Sequence, residues 1–206
     1  MNRKWGAGIL AAAMLLIAVP QAQAEETISE DIYQWVQSTS RQNYYFNKQH
    51  IYFGLDAKGQ IDLNTLLVPV LKTYDQVQKE DVIAKRRWKM QKTEGYNDLV
   101  GAAQYLRFNL QANTVEIIKQ DDLDSDWGVL DTADVNKVID LTQLSEKGVK
   151  GKFYQAILGY SRMHLDEILE RTEAKNNVKL NSEGKKQFAK MKNTVTHQRH
   201  NKNKAS

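Results

Sequence analysis

The chain has 206 residues, 29 Lys/Arg against 25 Asp/Glu for a net charge of +4, and no cysteine. Those numbers exclude a disulfide scaffold, thiol catalysis and a lipid anchor on an N-terminal cysteine. No run after residue 24 is long and apolar enough for a membrane-spanning helix, which takes about 20 residues.

The net charge hides an asymmetry. Arg3 and Lys4 precede the apolar run 9–19, Pro20 breaks it, and Ala22-Gln23-Ala24 supplies small residues at cleavage-site spacing. That pattern predicts a secretory signal peptide over residues 1–24, an exported mature chain from Glu25, and a periplasmic, cell-surface or secreted location. Residues 175–206 hold 9 Lys/Arg and one acid, Glu183, for +8; residues 25–174 hold 18 basic and 24 acidic residues, for −6. The expected organisation is a single acidic domain over 25–174, followed by a basic, loosely structured tail over 175–206.

In chain order, Thr27-Ile28-Ser29-Glu30 has capping-box spacing, and Ile32, Trp35 and Val36 follow at helical intervals, predicting a helix over 28–41 docked through Trp35. Residues 44–63 read as a hairpin. Asp56-Ala57-Lys58-Gly59 suits a type I turn followed by a left-handed glycine, which sets Leu55 opposite Ile61 and Phe53 opposite Leu63. Alternation then puts Ile51, Phe53 and Leu55 on the core face, with Tyr52 and His50 on the other. Leu66, Leu67, Val70, Leu71, Tyr74 and Val77 recur at three and four, predicting a second helix with Pro69 in its first turn.

Residues 82–91 alternate, predicting a strand on which Lys85, Arg87 and Lys89 share one face and Arg86 breaks the pattern. Asn97 caps a short predicted helix. Residues 106–117 form a second hairpin, with Leu110 facing Val115 and Phe108 facing Ile117. Residues 135–144 fit strand or helix, and residues 152–173 predict the longest helix, with a stripe from Tyr154 to Leu169. The expected fold is α+β, a mainly antiparallel sheet built from two hairpins with at least three helices packed on it; the alternative is a mostly helical domain with a small sheet.

Chemistry is sparse. Asp122, Asp124 and Asp126, with Asp131 nearby, alternate like a calcium loop, but Trp127 stands where the loop needs glycine and Ala133 where it needs a bidentate glutamate. A solvated acidic turn is the plainer interpretation, with calcium as the cofactor alternative. Lys85, Arg87 and Lys89 suit an anion, with Trp88 as a stacking surface, or else a charged sheet edge. Tyr52 and His50, beside Tyr44 or Tyr45, suit a sugar- or peptide-binding platform if water covers them, or a packed face if a helix does. His164 lies near the stripe of the long predicted helix, and His197 and His200 are spaced at i, i+3 in the tail.

Gly159-Tyr160-Ser161 lacks the closing glycine of a nucleophile elbow, and Ser182–Lys185 lacks the partner motifs of a penicillin-binding site. No catalytic residue or metal ligand is therefore assigned. The expectation is an exported, non-enzymatic binding or interaction protein of the cell envelope or extracellular space, whose basic tail attaches to anionic envelope polymers or lipid head groups. The alternative is an extracytoplasmic hydrolase using carboxylates with His50 or His164.

Overall fold

A computed structural model describes residues 28–204; the expected signal peptide lies outside them. The described residues fold as seven strands and four helices, 37% strand and 35% helix, an α+β class built on a mainly antiparallel sheet.

The strands are β1 (Tyr33–Ser38), β2 (Gln42–Asn47), β3 (Tyr52–Leu55), β4 (Ile61–Tyr74), β5 (Gly101–Asn109), β6 (Thr114–Leu123) and β7 (Val129–Asp140). The helices are α1 (Gln76–Trp88), α2 (Val149–Met163), α3 (Leu165–Asn176) and α4 (Ser182–Lys204). The sheet runs β1-β2-β4-β5-β6-β7, and β3 pairs with the first half of β4 on the side where β2 pairs with its second half.

The first hairpin turns as its residues dictate. The Asp56 carboxylate accepts from the Lys58 and Gln60 amides, and Gly59 takes φ +74°. Leu55 pairs with Ile61 as expected, but a bulge then moves Phe53 from Leu63 to Leu66. The bulge leaves Phe53 buried while Leu55, expected on the same face, is 43% exposed. The second hairpin keeps its predicted faces and slides by two residues, with Phe108 on Val115 and Leu106 on Ile117.

Three predicted elements change type. Residues 28–41 form a turn, in which the Ser29 carbonyl accepts from the Ile32 and Tyr33 amides, and then β1. Trp35 is exposed there instead of docked. The predicted second helix is β4, a central strand apolar on both faces, so its apolar residues fall at helical spacings by density alone. Pro69 is tolerated because it lies between the last β2 partner, Val70, and the first β3 partner, Leu67, where β4 has a paired neighbour on one side only. The predicted strand over 82–91 is mostly α1, which Asp75 caps by accepting from the Gln78 amide. Its expected apolar face, Trp88 and Met90, is almost fully exposed.

The predicted short helix at Asn97 is a 3-10 turn, Tyr96–Asp98, and the long helix is interrupted at His164, dividing it into α2 and α3. The core lies between the sheet and α2–α4. Phe46, Phe53, Val68, Leu106 and Phe108 meet Phe153, Tyr154, Ile157, Ile168 and Phe188 across it. The segment after residue 175 joins that core, because Leu180 and Phe188 are buried in it. A smaller cluster of Ile83, Tyr96 and Leu99 seats α1 at the far end of the sheet.

Candidate functional site

Three surfaces gather chemistry: the polar end beneath α1, the outer side of α4, and the sheet face opposite the helices. Beneath α1, the residue that broke the strand pattern becomes the organising group. The Arg86 guanidinium lies 2.6 Å from Asp131 and 3.6 Å from Asp122, donates to the Lys92 carbonyl, and stacks on the Tyr96 ring at 4.2 Å. Asp122 also accepts from the Tyr96 hydroxyl at 2.9 Å and from Gln120 at 2.8 Å. Burial, together with the Asp122 carboxylate, raises the Tyr96 phenol far above its ordinary value, and the Arg86 hydrogen bond holds Asp131 low.

The carboxylates considered as calcium ligands therefore point to separate partners. Asp122 and Asp131 serve Arg86, Asp124 accepts from the Asp126 and Gly128 amides of its own turn, and Asp126 is exposed. Trp127 takes φ +61° in that turn. Among the described residues, no three His, Cys, Asp or Glu side chains come together as a metal site.

Lys85, Arg87 and Lys89 do not share a face as expected. They lie at the end of α1, where helical geometry turns Arg87 away from Lys85 and Lys89. The exposed His50 has its Nδ1 3.1 Å from the Asn47 Oδ1 and its ring beside Tyr52. Tyr52 is half-buried, with the Lys175 ammonium 4.0 Å from its ring centroid, so it is neither sealed by a helix nor fully open. His164 stacks on Tyr160 and lies 2.9 Å from the Glu167 carboxylate, but among the described residues neither histidine hydrogen-bonds a hydroxyl.

Lys72 escaped the sequence analysis because an isolated lysine in an apolar run carries no pattern. It projects to the helix side of β4, its ammonium 5.6 Å from the Tyr44 ring. Burial, assisted by Lys150, lowers its pKa to about 8. Below pH 8 both folded and unfolded states carry the charge, so the folded state bears the whole desolvation penalty; stability rises as pH passes from about 8 to 10.5 and the penalty disappears. Lys72→Met is expected to stabilise the protein at pH 7 by up to about 3 kcal/mol, with an advantage that shrinks towards pH 10. Urea denaturation of both proteins at the two pH values checks this, and an advantage independent of pH would refute the assigned cause.

On α4, Phe188 and the half-buried Met191 face the core beside Leu180 of the preceding connection, and Lys185, Lys186 and Lys190 are exposed. A groove between α3 and α4 sets Asp166 and Glu173 against Lys185 and Lys192, compensating the α3 side of the helix. Lys186, facing outward, has Glu183 at a loose 3.9 Å.

No family model matches this chain, and no curated protein or solved structure does either.

Proposed function

We propose that the chain is an exported, non-enzymatic binding protein that attaches to an anionic membrane surface through the outer face of α4. The observation that carries this is the charge of an ordered helix: after Glu183 the chain holds seven Lys/Arg and no acid, and α4 spans this region. Its 23 residues make a rod of about 34 Å. Helical spacing places Lys186 and Lys190 on one side of the helix, facing away from the buried Phe188, and the sequence adds Lys204 at the end of the same helix.

Residue choice favours a diffuse lipid headgroup field over other anions. Six of the seven cations are lysines, point charges suited to a surface, whereas arginine forks suit individual phosphates. The aromatic residue of α4, Phe188, is buried and offers no stacking platform to nucleic acid. Attachment is electrostatic, because the apolar side of the helix is already used in the core.

The test is co-sedimentation of residues 25–206 with vesicles of about one-third phosphatidylglycerol in phosphatidylcholine, against pure phosphatidylcholine. Binding is expected only to the anionic vesicles and is expected to vanish near 1 M salt. Each juxtamembrane lysine contributes about 1 kcal/mol, so Lys186→Gln, Lys190→Gln and Lys204→Gln together should weaken binding more than about a hundredfold. Equal binding to neutral vesicles, or an unaffected triple variant with intact circular dichroism, would reject the proposal.

A further inference from the structure

The second face of the sheet is a surface that α4 does not use. Paired residues share a face, and two rows of them lie across it. One runs Trp35, Tyr45, Leu71, Ala103 and Asp121; beside it, Tyr33 pairs with Asn47 on β1 and β2, and Pro69, Tyr105 and Lys119 form a second run across β4–β6. The main core cluster lies on the opposite side, where α2–α4 cover it. Trp35 is 53% exposed and Tyr105 38%, whereas Leu71 is buried beneath its neighbours. The surface offered to solvent is therefore largely ring.

Both exposed rings are held by their polar ends. The Trp35 indole N–H donates to the Ser38 hydroxyl, which donates to Asn43, which in turn donates to Thr73. Burial and then the neighbouring Asp121 carboxylate raise the Tyr105 phenol; Asp121 also accepts from Thr132 and pairs with Lys119, whose ammonium lies 4.9 Å from the Tyr105 ring centroid. Tyr33 sits close enough to Tyr105 to help raise its phenol. Rings fixed in this way present their faces without losing side-chain entropy when a ligand arrives.

The charge on this face is divided. From Thr65 to Thr73 the face-side residues of β4 are uncharged, as are those of β1 and β2. The charges lie on β5–β7, where Arg107 pairs with Glu116 and Lys119 with Asp121, and the exposed Asp134 lies across from Lys119. From β1 to β5 is three strand spacings, about 14 Å, enough for a chain of rings rather than one.

We propose that this aromatic face binds a neutral oligosaccharide, whose C–H faces stack on Trp35, Tyr45 and Tyr105. The negative face of an aromatic ring attracts polarised C–H groups, and the lack of charge on β1, β2 and β4 suits a neutral chain over an anionic one. Ser38, Asn43 and Thr73 lie along the same side, with amide and hydroxyl groups matched to sugar hydroxyls. This site is independent of α4, so either can fail without the other.

The experiment titrates residues 25–206 with cellohexaose, maltohexaose and hexa-N-acetylchitohexaose by calorimetry. Saturable binding to at least one is expected, unchanged near 1 M salt. Trp35→Ala and Tyr105→Ala should each weaken it at least about tenfold, whereas Tyr105→Phe, which keeps the ring, should retain most of it. Absence of binding to all three at about 10 mM, or full affinity in Trp35→Ala, would overturn the proposal. So would sedimentation showing a dimer that Trp35→Ala dissolves, because the occupant of the face would then be a second copy of the chain.

Discussion

Replacing Arg86 with alanine is expected to cost about 3–5 kcal/mol of folding stability, the usual result of removing one partner of a buried ion pair. The side chains of Arg86 and Asp122 are only 11% and 10% exposed. Without the guanidinium, Asp122 keeps the Tyr96 hydroxyl and the Gln120 amide but no positive charge. Tyr96 also loses the planar group stacked on it, which loosens the small cluster holding α1. Arg86→Lys keeps the charge but loses the fork that reaches Asp131 and the Lys92 carbonyl together, so it should recover only part of the loss.

Adding Asp122→Asn to Arg86→Ala should recover more, because the stranded charge is then absent. The pH dependence carries a second signature. Asp131 is held below its ordinary value by Arg86, so its contribution is present above the unfolded carboxylate pKa and lost as pH falls through the folded one. Stability in acid should therefore fall less steeply in Arg86→Ala than in the parent. Urea denaturation at pH 7 and pH 4 measures both effects. A loss under about 1 kcal/mol at pH 7 would mean that Ile83 and Leu99 hold α1 without the network.

This network also shows how sequence becomes ambiguous. Alternation over residues 82–91 imitated a strand, and Arg86 was the residue that did not fit; on a helix it is the one long polar side chain turned inward. The error at β4 ran the other way. Leu66, Val68 and Val70 face the helices, and Leu67, Pro69 and Leu71 face the aromatic rows, so no polar residue marked a period of two.

Turns were more legible, because Asp56 and Gly59 act through local backbone chemistry that no distant contact alters. Register beyond the turn was not, since the bulges after Phe53 and Tyr105 are set by packing across the sheet. The aromatic face was partly visible: Tyr52 and Tyr45 were considered for a platform and both lie on that side, but Trp35 and Tyr105 come from β1 and β5. Only the strand order brings these residues together. Lys72, buried by α2 more than 70 residues later, left no local trace.

Phe53→Ala is expected to cost about 3–5 kcal/mol, the range for emptying a buried aromatic site. Phe53 is 1% exposed and meets Phe188 of α4 edge to face, with ring centroids 6.4 Å apart. Its amide donates to the Thr172 hydroxyl of α3 at 2.9 Å, so the residue joins β3 to two helices at once. Tyr52, its neighbour on the other face, is half-buried and covered mainly by the Lys175 ammonium, so Tyr52→Ala should cost about 1–2 kcal/mol. The contrast between adjacent residues tests the face assignment in one urea series, and equal losses would mean that the bulge after Phe53 is misplaced. Because Phe53 forms one wall of the seat of Phe188, its removal should also loosen α4 before the sheet unfolds. Amide exchange over residues 184–194 should accelerate more than exchange in β5. If the two rise equally, α4 is held chiefly by Leu180 and Met191, and the basic surface it carries depends on them instead.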